Sequence, residues 1–137
     1  DLKPWTELGL LLWPDHSFAE LSEEFLGILK GERDTAFLCK VGQAYVGFIH
    51  VSLRVDYVEG SSSSPVGFVE GIYVKESYRK RGIAKKLVAQ GERWAKARGC
   101  SEMGSDIEEQ NIASYDFHRS VGFQEANRLI CFIKTIK

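Results

Sequence analysis

The sequence predicts one α/β domain over residues 1–137, in which a mixed sheet is flanked by helices. Three observations support this fold class. Apolar residues recur with helical spacing in four segments, five other segments alternate or run continuously apolar as strands do, and the two kinds are interleaved. With 137 residues, 44% of them hydrophobic, the chain is long enough to bury a core.

Two helices are predicted first. Apolar spacing favours a helix from Leu2 to Trp13 that stops at Pro14. Trp13 is either core or the wall of a pocket. The second helix runs over residues 17–30, with Asp15 or Ser17 as its cap and Gly31 as its end. Its predicted apolar stripe is Phe18, Leu21, Phe25, Ile28 and Leu29.

Three strands follow. Residues 35–41 and 45–57 are predicted to form a hairpin around Gly42, and the face of the second strand that carries Ile49 is predicted to be core. His50, on the other face, is interpreted as structural or solvated. A polar loop over residues 59–65 is expected to be a mobile rim. The central strand, residues 66–74, is apolar except for Glu70, a carboxylate that needs a partner or a task there.

A basic loop after the central strand has the features of an anion site. Arg79, Lys80 and Arg81 add positive charge, and Gly82 allows backbone to approach a ligand closely. The helix that opens there presents unpaired N–H groups and the positive end of its dipole. This helix is predicted over residues 82–98, followed by a strand over 101–106, a helix over 111–121 and a terminal strand over 129–136.

Charge and cysteine content narrow the class of protein. The net charge of −1 argues against nucleic-acid binding driven by bulk charge. No apolar run approaches the length of a membrane span, and no metal-ligand spacing is present, so we expect neither a membrane partner nor a metal. The three cysteines, Cys39, Cys100 and Cys131, are scattered, which suits a reducing compartment, and we expect a cytoplasmic protein.

Several motifs together resemble one superfamily. Residues 79–84 match R-x-x-G-x-[GA], and the segment from Asn111 to Phe123 is similar to N-x-x-A-x-x-x-Y-x-x-x-G-F with one residue of difference in spacing. Both patterns are typical of the GNAT superfamily of N-acetyltransferases. Residues 55–60, 64–74 and 118–125 resemble one subgroup more closely, the bacterial aminoglycoside 6′-N-acetyltransferases, which inactivate antibiotics. The resemblance covers almost the whole chain.

The resemblance implies a mainly antiparallel sheet whose central strand is bulged, at or near Gly71, and splayed from its neighbour. Acetyl-CoA is the implied cosubstrate. Its pantetheine arm would pair with the backbone of Ile72, Tyr73 and Val74 and hydrogen-bond to Asn111. Its pyrophosphate would take the amides of the basic loop. The implied pyrophosphate residues are Arg79, Arg81, Gly82, Ile83 and Ala84.

The resemblance also implies a drug site, and a polycationic drug suits carboxylates there. The implied substrate contacts are Trp13, Tyr57, Glu70, Asp106 and Asn127. The acceptor amine must lose a proton, for which Glu70 and Asp106 are the candidate bases, with Glu70 favoured. The N–H of Ile72 is the expected oxyanion donor. His118 stands where relatives carry a tyrosine acid, so either it protonates the thiolate or the thiolate leaves unprotonated.

The sequence therefore predicts direct acetyl transfer from acetyl-CoA to the 6′-amino group of aminoglycosides. Two alternatives remain open: another acceptor, such as a small amine or a protein N-terminus, and a non-catalytic module that senses acyl-CoA. The apolar tail, residues 129–136, is expected to pair across an interface in a homodimer.

Overall fold

The computed structural model describes residues 2–137 and divides the chain after Asp106 into two units, which are considered separately. The first unit contains helices α1 (Leu2–Leu12), α2 (Phe18–Lys30) and α3 (Ile83–Ala97), strands β1 (Asp34–Val41), β2 (Ala44–Arg54), β3 (Val66–Val74) and β4 (Met103–Gly104), and a 3₁₀ turn, Glu76–Tyr78. The second unit, Ile107–Lys137, contains α4 (Ile112–Ser120).

The sheet confirms the predicted fold class. Over the described residues its strand order is β1-β2-β3-β4, with antiparallel pairing except between β3 and β4, which are parallel. β1 and β2 form the predicted hairpin, in which Gly42 has a positive φ of 61°. β3 has the predicted bounds, and it is bulged and splayed as expected.

Both faces of β2 are buried, which corrects the prediction that one face alone forms the core. On one side Phe48 is fully buried beneath α1 and α2, where the rings of Trp5 and Phe25 stack at 3.9 Å between centroids. On the other side Ile49 and Val51 pack against α3. A sheet covered by helices on both faces buries the alternating residues of its central strands on each side.

The close approach of α3 to the sheet depends on a small residue. A Cβ on Gly91 would lie 2.8 Å from Cγ2 of Val51, and real Cβ atoms essentially never come so close to another heavy atom. The predicted reason for a glycine in the middle of this helix, close packing on the sheet, is therefore confirmed.

Two predicted strand boundaries and one predicted apolar stripe are wrong in detail. β2 ends at Arg54, and residues 55–57 are exposed, because the pairing of β2 with β3 ends at Arg54 and Val66. β4 is limited to two residues, because only Met103 and Gly104 pair with β3. In α2, Phe18 and Leu29 lie outside the buried stripe and are about half exposed.

One helix end is confirmed and one loop prediction is wrong. Gly31 ends α2 as predicted, in an extended conformation, with its N–H donating to the carbonyl of Ile28. The serine loop is anchored, since Glu102 accepts hydrogen bonds from the N–H of Ser62 and the hydroxyl of Ser63. Those bonds lower the pKa of Glu102 and join the loop to the residues before β4.

The second unit has little core of its own. Asn111 caps α4, its side chain accepting from the N–H of Ser114 at 3.1 Å. Of residues 107–137, all of which the structure describes, none is buried. The predicted terminal strand over residues 129–136 is absent from this described segment, because a strand needs a neighbour for its backbone groups and none pairs with it here.

Candidate active site

β3 and β4 separate at the point where the site is predicted. Their last parallel pair is Phe68 with Gly104, so the edge of β3 that faces β4 is open beyond Phe68. Lys75 donates its N–H to the carbonyl of Val46 on β2, and backbone groups alternate between the two edges of a strand. The groups of Ile72 and Val74 therefore point to the open edge, while those of Tyr73 point to β2.

Of the three predicted pantetheine partners, Tyr73 is the one whose backbone groups point to β2, where it lies opposite Phe48. Ile72 and Val74 remain the predicted partners, although the carbonyl of Val74 already accepts a 2.8 Å hydrogen bond from Nε of Arg79. The N–H of Ile72, the predicted oxyanion donor, also points to the open edge.

The bulge in β3 places Glu70 in the opened region. His50 pairs with Gly71 and Val51 with Val69, so Glu70 is the extra residue, immediately before the glycine at which the bulge was expected. The carboxylate of Glu70 receives three hydrogen bonds. Ser52 Oγ donates to Oε2 at 2.5 Å, Arg54 Nε to Oε2 at 3.1 Å and Arg54 Nη2 to Oε1 at 2.9 Å.

Glu70 is thus an ionised acceptor. Burial by itself raises the pKa of Glu70, but the hydrogen bonds from Arg54 and Ser52, with the positive charge of Arg54, hold the pKa below its usual value. The guanidinium of Arg54 also lies 3.5 Å from the centroid of the Phe68 ring, a cation–π contact that fixes its plane.

The other residues of the first unit that are predicted to contact the drug lie on different elements. Trp13 follows α1 and covers Gly71, whose Cβ, if present, would lie 2.5 Å from Cη2 of Trp13. Glu70 and Asp106 each lie two residues beyond the last pair between β3 and β4, which is Phe68 with Gly104. Tyr57 is 73% exposed and its hydroxyl accepts from the N–H of Gly60.

The basic loop has the geometry of an anion site. Gly82 has φ of 79°, a left-handed conformation that favours glycine, and open space surrounds the position of its absent Cβ. α3 begins at Ile83, so the first N–H groups of the helix have no partner within it. Arg79 and Arg81 flank the loop and are both exposed.

The second unit holds three predicted site residues: Asn111, His118 and Asn127. Nδ1 of His118 lies 2.7 Å from the carbonyl oxygen of Ser114, and since a carbonyl only accepts, Nδ1 carries the proton. The neutral imidazole then has no proton on Nε2, so His118 can donate from Nε2 only when it is charged. The side-chain oxygen of Asn127 accepts from the N–H of Arg128.

Sequence reasoning missed Ser52 and Arg54 as residues of this site. A signal was present, because strand alternation puts both on the face of β2 that carries His50. Their link to Glu70 depends on the register of β2 against β3, which the bulge shifts by one residue. His50, interpreted as structural or solvated, is buried and paired with Asp34, Nε2 to Oδ2 at 2.7 Å.

The chain matches the model of the Acetyltransferase (GNAT) family over residues 3–123. It belongs to that family. An aminoglycoside N(6′)-acetyltransferase type 1 of Serratia marcescens is 42% identical, with 99% of this chain and 94% of that protein covered. The structure of AAC(6′)-Iy with the bisubstrate analogue CoA-S-monomethyl-acetylneamine is similar with a TM-score of 0.95 and 38% identity, covering 98% of this chain and 92% of the other.

A second solved structure has the same fold. The apo structure of AAC(6′)-IG from Acinetobacter haemolyticus has a TM-score of 0.94 and 38% identity, covering 99% of this chain and 93% of that one. The predictions of a GNAT acetyltransferase that uses acetyl-CoA are confirmed. Within residues 2–137, no helix is long and apolar enough to cross a membrane, and no group of His, Cys, Asp and Glu side chains is arranged to hold a metal ion.

Proposed function

We propose that this GNAT protein transfers the acetyl group of acetyl-CoA to the 6′-amino group of aminoglycosides and so inactivates them. The observation that carries the proposal is the junction of β3 and β4. There Glu70, an ionised carboxylate, and Asp106 flank the point where the strands part, beside the open backbone edge at Ile72 and Val74. Relatives similar over nearly the whole chain are named for this reaction.

The cosubstrate fits the residues present. The open edge offers N–H and C=O groups at Ile72, and the start of α3 offers the amides of Gly82, Ile83 and Ala84 to a diphosphate. Arg79 and Arg81 add charge there. Acetyl-CoA supplies the thioester, and the chain holds it where the N–H of Ile72 can donate to the oxygen that becomes charged on attack. Asn111 is proposed as a pantetheine ligand, because its amide nitrogen takes no part in the α4 cap.

The acceptor side is acidic and aromatic, as a polycation requires. Glu70 and Asp106 attract the ammonium groups, and Trp13 and Tyr57 supply flat surfaces for sugar rings. Asn127 is proposed as a further polar contact. The attacking amine must be neutral, and Asp106 or Glu70 takes its proton directly or through water. His118, in its charged form, is the proposed donor to the leaving thiolate.

Thiol release tests the proposal directly. Purified protein with acetyl-CoA should release free CoA thiol with kanamycin or tobramycin, but not with a drug that carries a hydroxyl at the 6′ carbon. If no 6′-amino drug causes thiol release but a polyamine or a peptide N-terminus does, the enzyme acetylates another acceptor and the aminoglycoside assignment is wrong. Binding of acetyl-CoA without turnover on any amine would favour a sensor.

Asp106→Ala separates the two substrates. Removing one carboxylate from the acceptor side should raise the KM for kanamycin about tenfold, since a charge-assisted hydrogen bond contributes about 1.5 kcal/mol or more. The KM for acetyl-CoA should change less than twofold. Glu23→Ala, an exposed carboxylate of α2, is the matched control. An effect mainly on acetyl-CoA would contradict the assignment of Asp106 to the drug.

We propose further that the protein is a homodimer in the cytoplasm. The tail exposes Leu129, Ile130, Phe132, Ile133 and Ile136 to solvent in the single chain. A second copy would cover these side chains and pair the backbone groups of the tail as a strand. The cytoplasm supplies acetyl-CoA, and its reducing conditions suit the three free cysteines, Cys39, Cys100 and Cys131.

Light scattering after gel filtration tests the dimer. The wild type should have the mass of two chains, and Phe132→Glu should reduce it to the mass of one, because an interfacial charge without a partner is costly. Lys134→Glu, in the same exposed tail, should leave the dimer intact. A wild-type monomer at micromolar concentration would contradict the proposed role of the tail.

A further inference from the structure

Three donors occupy most of the Glu70 carboxylate. An ionised carboxylate has about four lone-pair sites, and Ser52 and the two nitrogens of Arg54 take three of them. About one site remains for a substrate. A carboxylate that was present only to attract cations would not need neighbours that neutralise it and fix its plane.

Arg54 is itself held in place. Its guanidinium binds both oxygens of Glu70 in a fork and lies against the Phe68 ring at 3.5 Å, so its orientation is set on two sides. Ser52 and Arg54 alternate onto one face of β2, opposite Phe68 and Val66, and from there both side chains reach the Glu70 carboxylate at the bulge. The side chain of Arg54 is 42% exposed and that of Glu70 is 26% exposed, so the pair lies at the surface of the site.

We propose that Arg54 is a positioning residue for acetyl transfer, which holds the Glu70 carboxylate in one orientation and leaves one lone pair for the acceptor amine. This inference rests on the proposed function. The positive charge of Arg54 also offsets part of the negative charge of Glu70, so a cationic drug meets a directed hydrogen-bond acceptor whose attraction for cations is reduced.

The other charged groups around Glu70 define what a pH experiment would report. On β2, Arg54 and His50 face it, and His50 is bonded to Asp34 of β1. The residues at the end of α1 that cover Gly71, Leu12 and Trp13, carry no charge. Loss of Arg54 would remove the main donor to Glu70 and leave its burial in place, so Glu70 would take up a proton at higher pH.

Steady-state kinetics of Arg54→Met tests the proposal against a merely structural role. The kcat for kanamycin acetylation should fall tenfold or more, while the KM for the drug stays level or falls, because an uncompensated carboxylate binds cations better. The acid limb of kcat/KM should move to higher pH. Arg98→Met removes an arginine that is likewise stacked on an aromatic ring, Trp94, and should change none of these values.

Two further measurements keep the proposal open to refutation if Arg54→Met folds poorly. Arg54→Lys retains the charge without the fork and should keep KM with a reduced kcat. Added methylguanidine should restore at least part of the kcat of Arg54→Ala. A kcat within twofold of wild type in Arg54→Met, equal rises in both KM values, or no rescue would each overturn the proposal.

A titration without substrate separates this inference from the proposed function. Followed by ¹³C NMR in the free protein, the carboxyl of Glu70 should titrate at higher pH in Arg54→Met than in the wild type, and at the wild-type pH in Arg98→Met. If no aminoglycoside is acetylated but this shift occurs, the proposed function fails and the positioning of Glu70 stands. An unmoved titration would overturn the positioning itself.

Discussion

The two units of the chain differ in how far they satisfy their own side chains and backbone. In the first unit Phe48 is fully buried, β2 is paired on both edges, and the carboxylate of Glu70 has three donors. In the second unit none of the described residues is buried, and the tail exposes Phe132 almost completely. The first unit therefore buries a core and pairs its central strands, whereas the described residues 107–137 leave their apolar side chains largely exposed.

Removing a matched phenylalanine from each unit should give the largest difference. Phe48→Ala should lower the free energy of unfolding by about 3–5 kcal/mol, because it empties a fully buried site. Phe132→Ala should lower it by less than about 0.5 kcal/mol in the dilute single chain. Urea unfolding at several protein concentrations measures both. If the loss of unfolding free energy caused by Phe132→Ala grows with protein concentration, a second copy covers the tail. Equal losses for Phe48→Ala and Phe132→Ala in dilute protein would contradict the difference between the two units.

Gly82 is the exception within the first unit, because the first N–H groups of α3 next to it have no partner within the helix. Gly82→Val should weaken acetyl-CoA binding at least about 100-fold, roughly 2.7 kcal/mol, because the side chain would occupy the open space before the helix. Gly99→Val is the control, since Gly99 also has a positive φ, 89°, with open space around it. Both variants should lose similar stability, about 1–2 kcal/mol. Calorimetry showing normal binding by Gly82→Val would place the anion site elsewhere.

Acid should reduce the contribution of Glu70 to the free energy of unfolding. The pKa of Glu70 is lower in the folded chain than its usual value near 4.5, so its contribution is complete above that value and is lost as pH falls through the folded pKa. The difference in unfolding free energy between wild type and Glu70→Gln should be largest at neutral pH and close on acidification. Glu23→Gln, an exposed carboxylate, controls for the loss of one charge. If the difference in unfolding free energy increased in acid, the pKa of Glu70 would be raised and not lowered on folding.

The smallest effect is expected at the start of α4. Asn111→Ala should destabilise the helix by about 1 kcal/mol, because it removes the acceptor for the N–H of Ser114. Asn111→Asp should keep the cap and lose the amide donor. Hydrogen exchange of the α4 amides reports the cap, and acetyl-CoA affinity reports the donor. Reduced affinity in Asn111→Asp with unchanged exchange would support a ligand role for Asn111, whereas unchanged affinity would assign it to the cap alone.

The sequence was sufficient where one segment determines its own structure. β3 was predicted with its observed bounds and α3 to within one residue at each end, because an apolar run and a strong helical stripe are local signals. The basic loop was recognised from its glycine and its charges. These features depend on a few neighbouring residues and need no knowledge of register.

Features that depend on how strands pair could not be predicted from a single segment of sequence. The three donors to Glu70 follow from a one-residue register shift between β2 and β3, which no single segment encodes. The lengths of β2 and β4 follow from where their neighbours stop. The tail has the composition of a strand, yet residues 129–136 form none in the single chain, because a strand exists only with a partner for its amides and carbonyls.

Gly91 has a consequence far from its own position. Since any side chain there would strike Val51, the depth at which α3 rests on the sheet is set by a missing methyl group. The amides proposed to hold a diphosphate lie at the N-terminus of the same helix, eight residues away at Ile83. A substitution at Gly91 would therefore shift or tilt α3 on the sheet. It would move the amides at the start of the helix without contacting them.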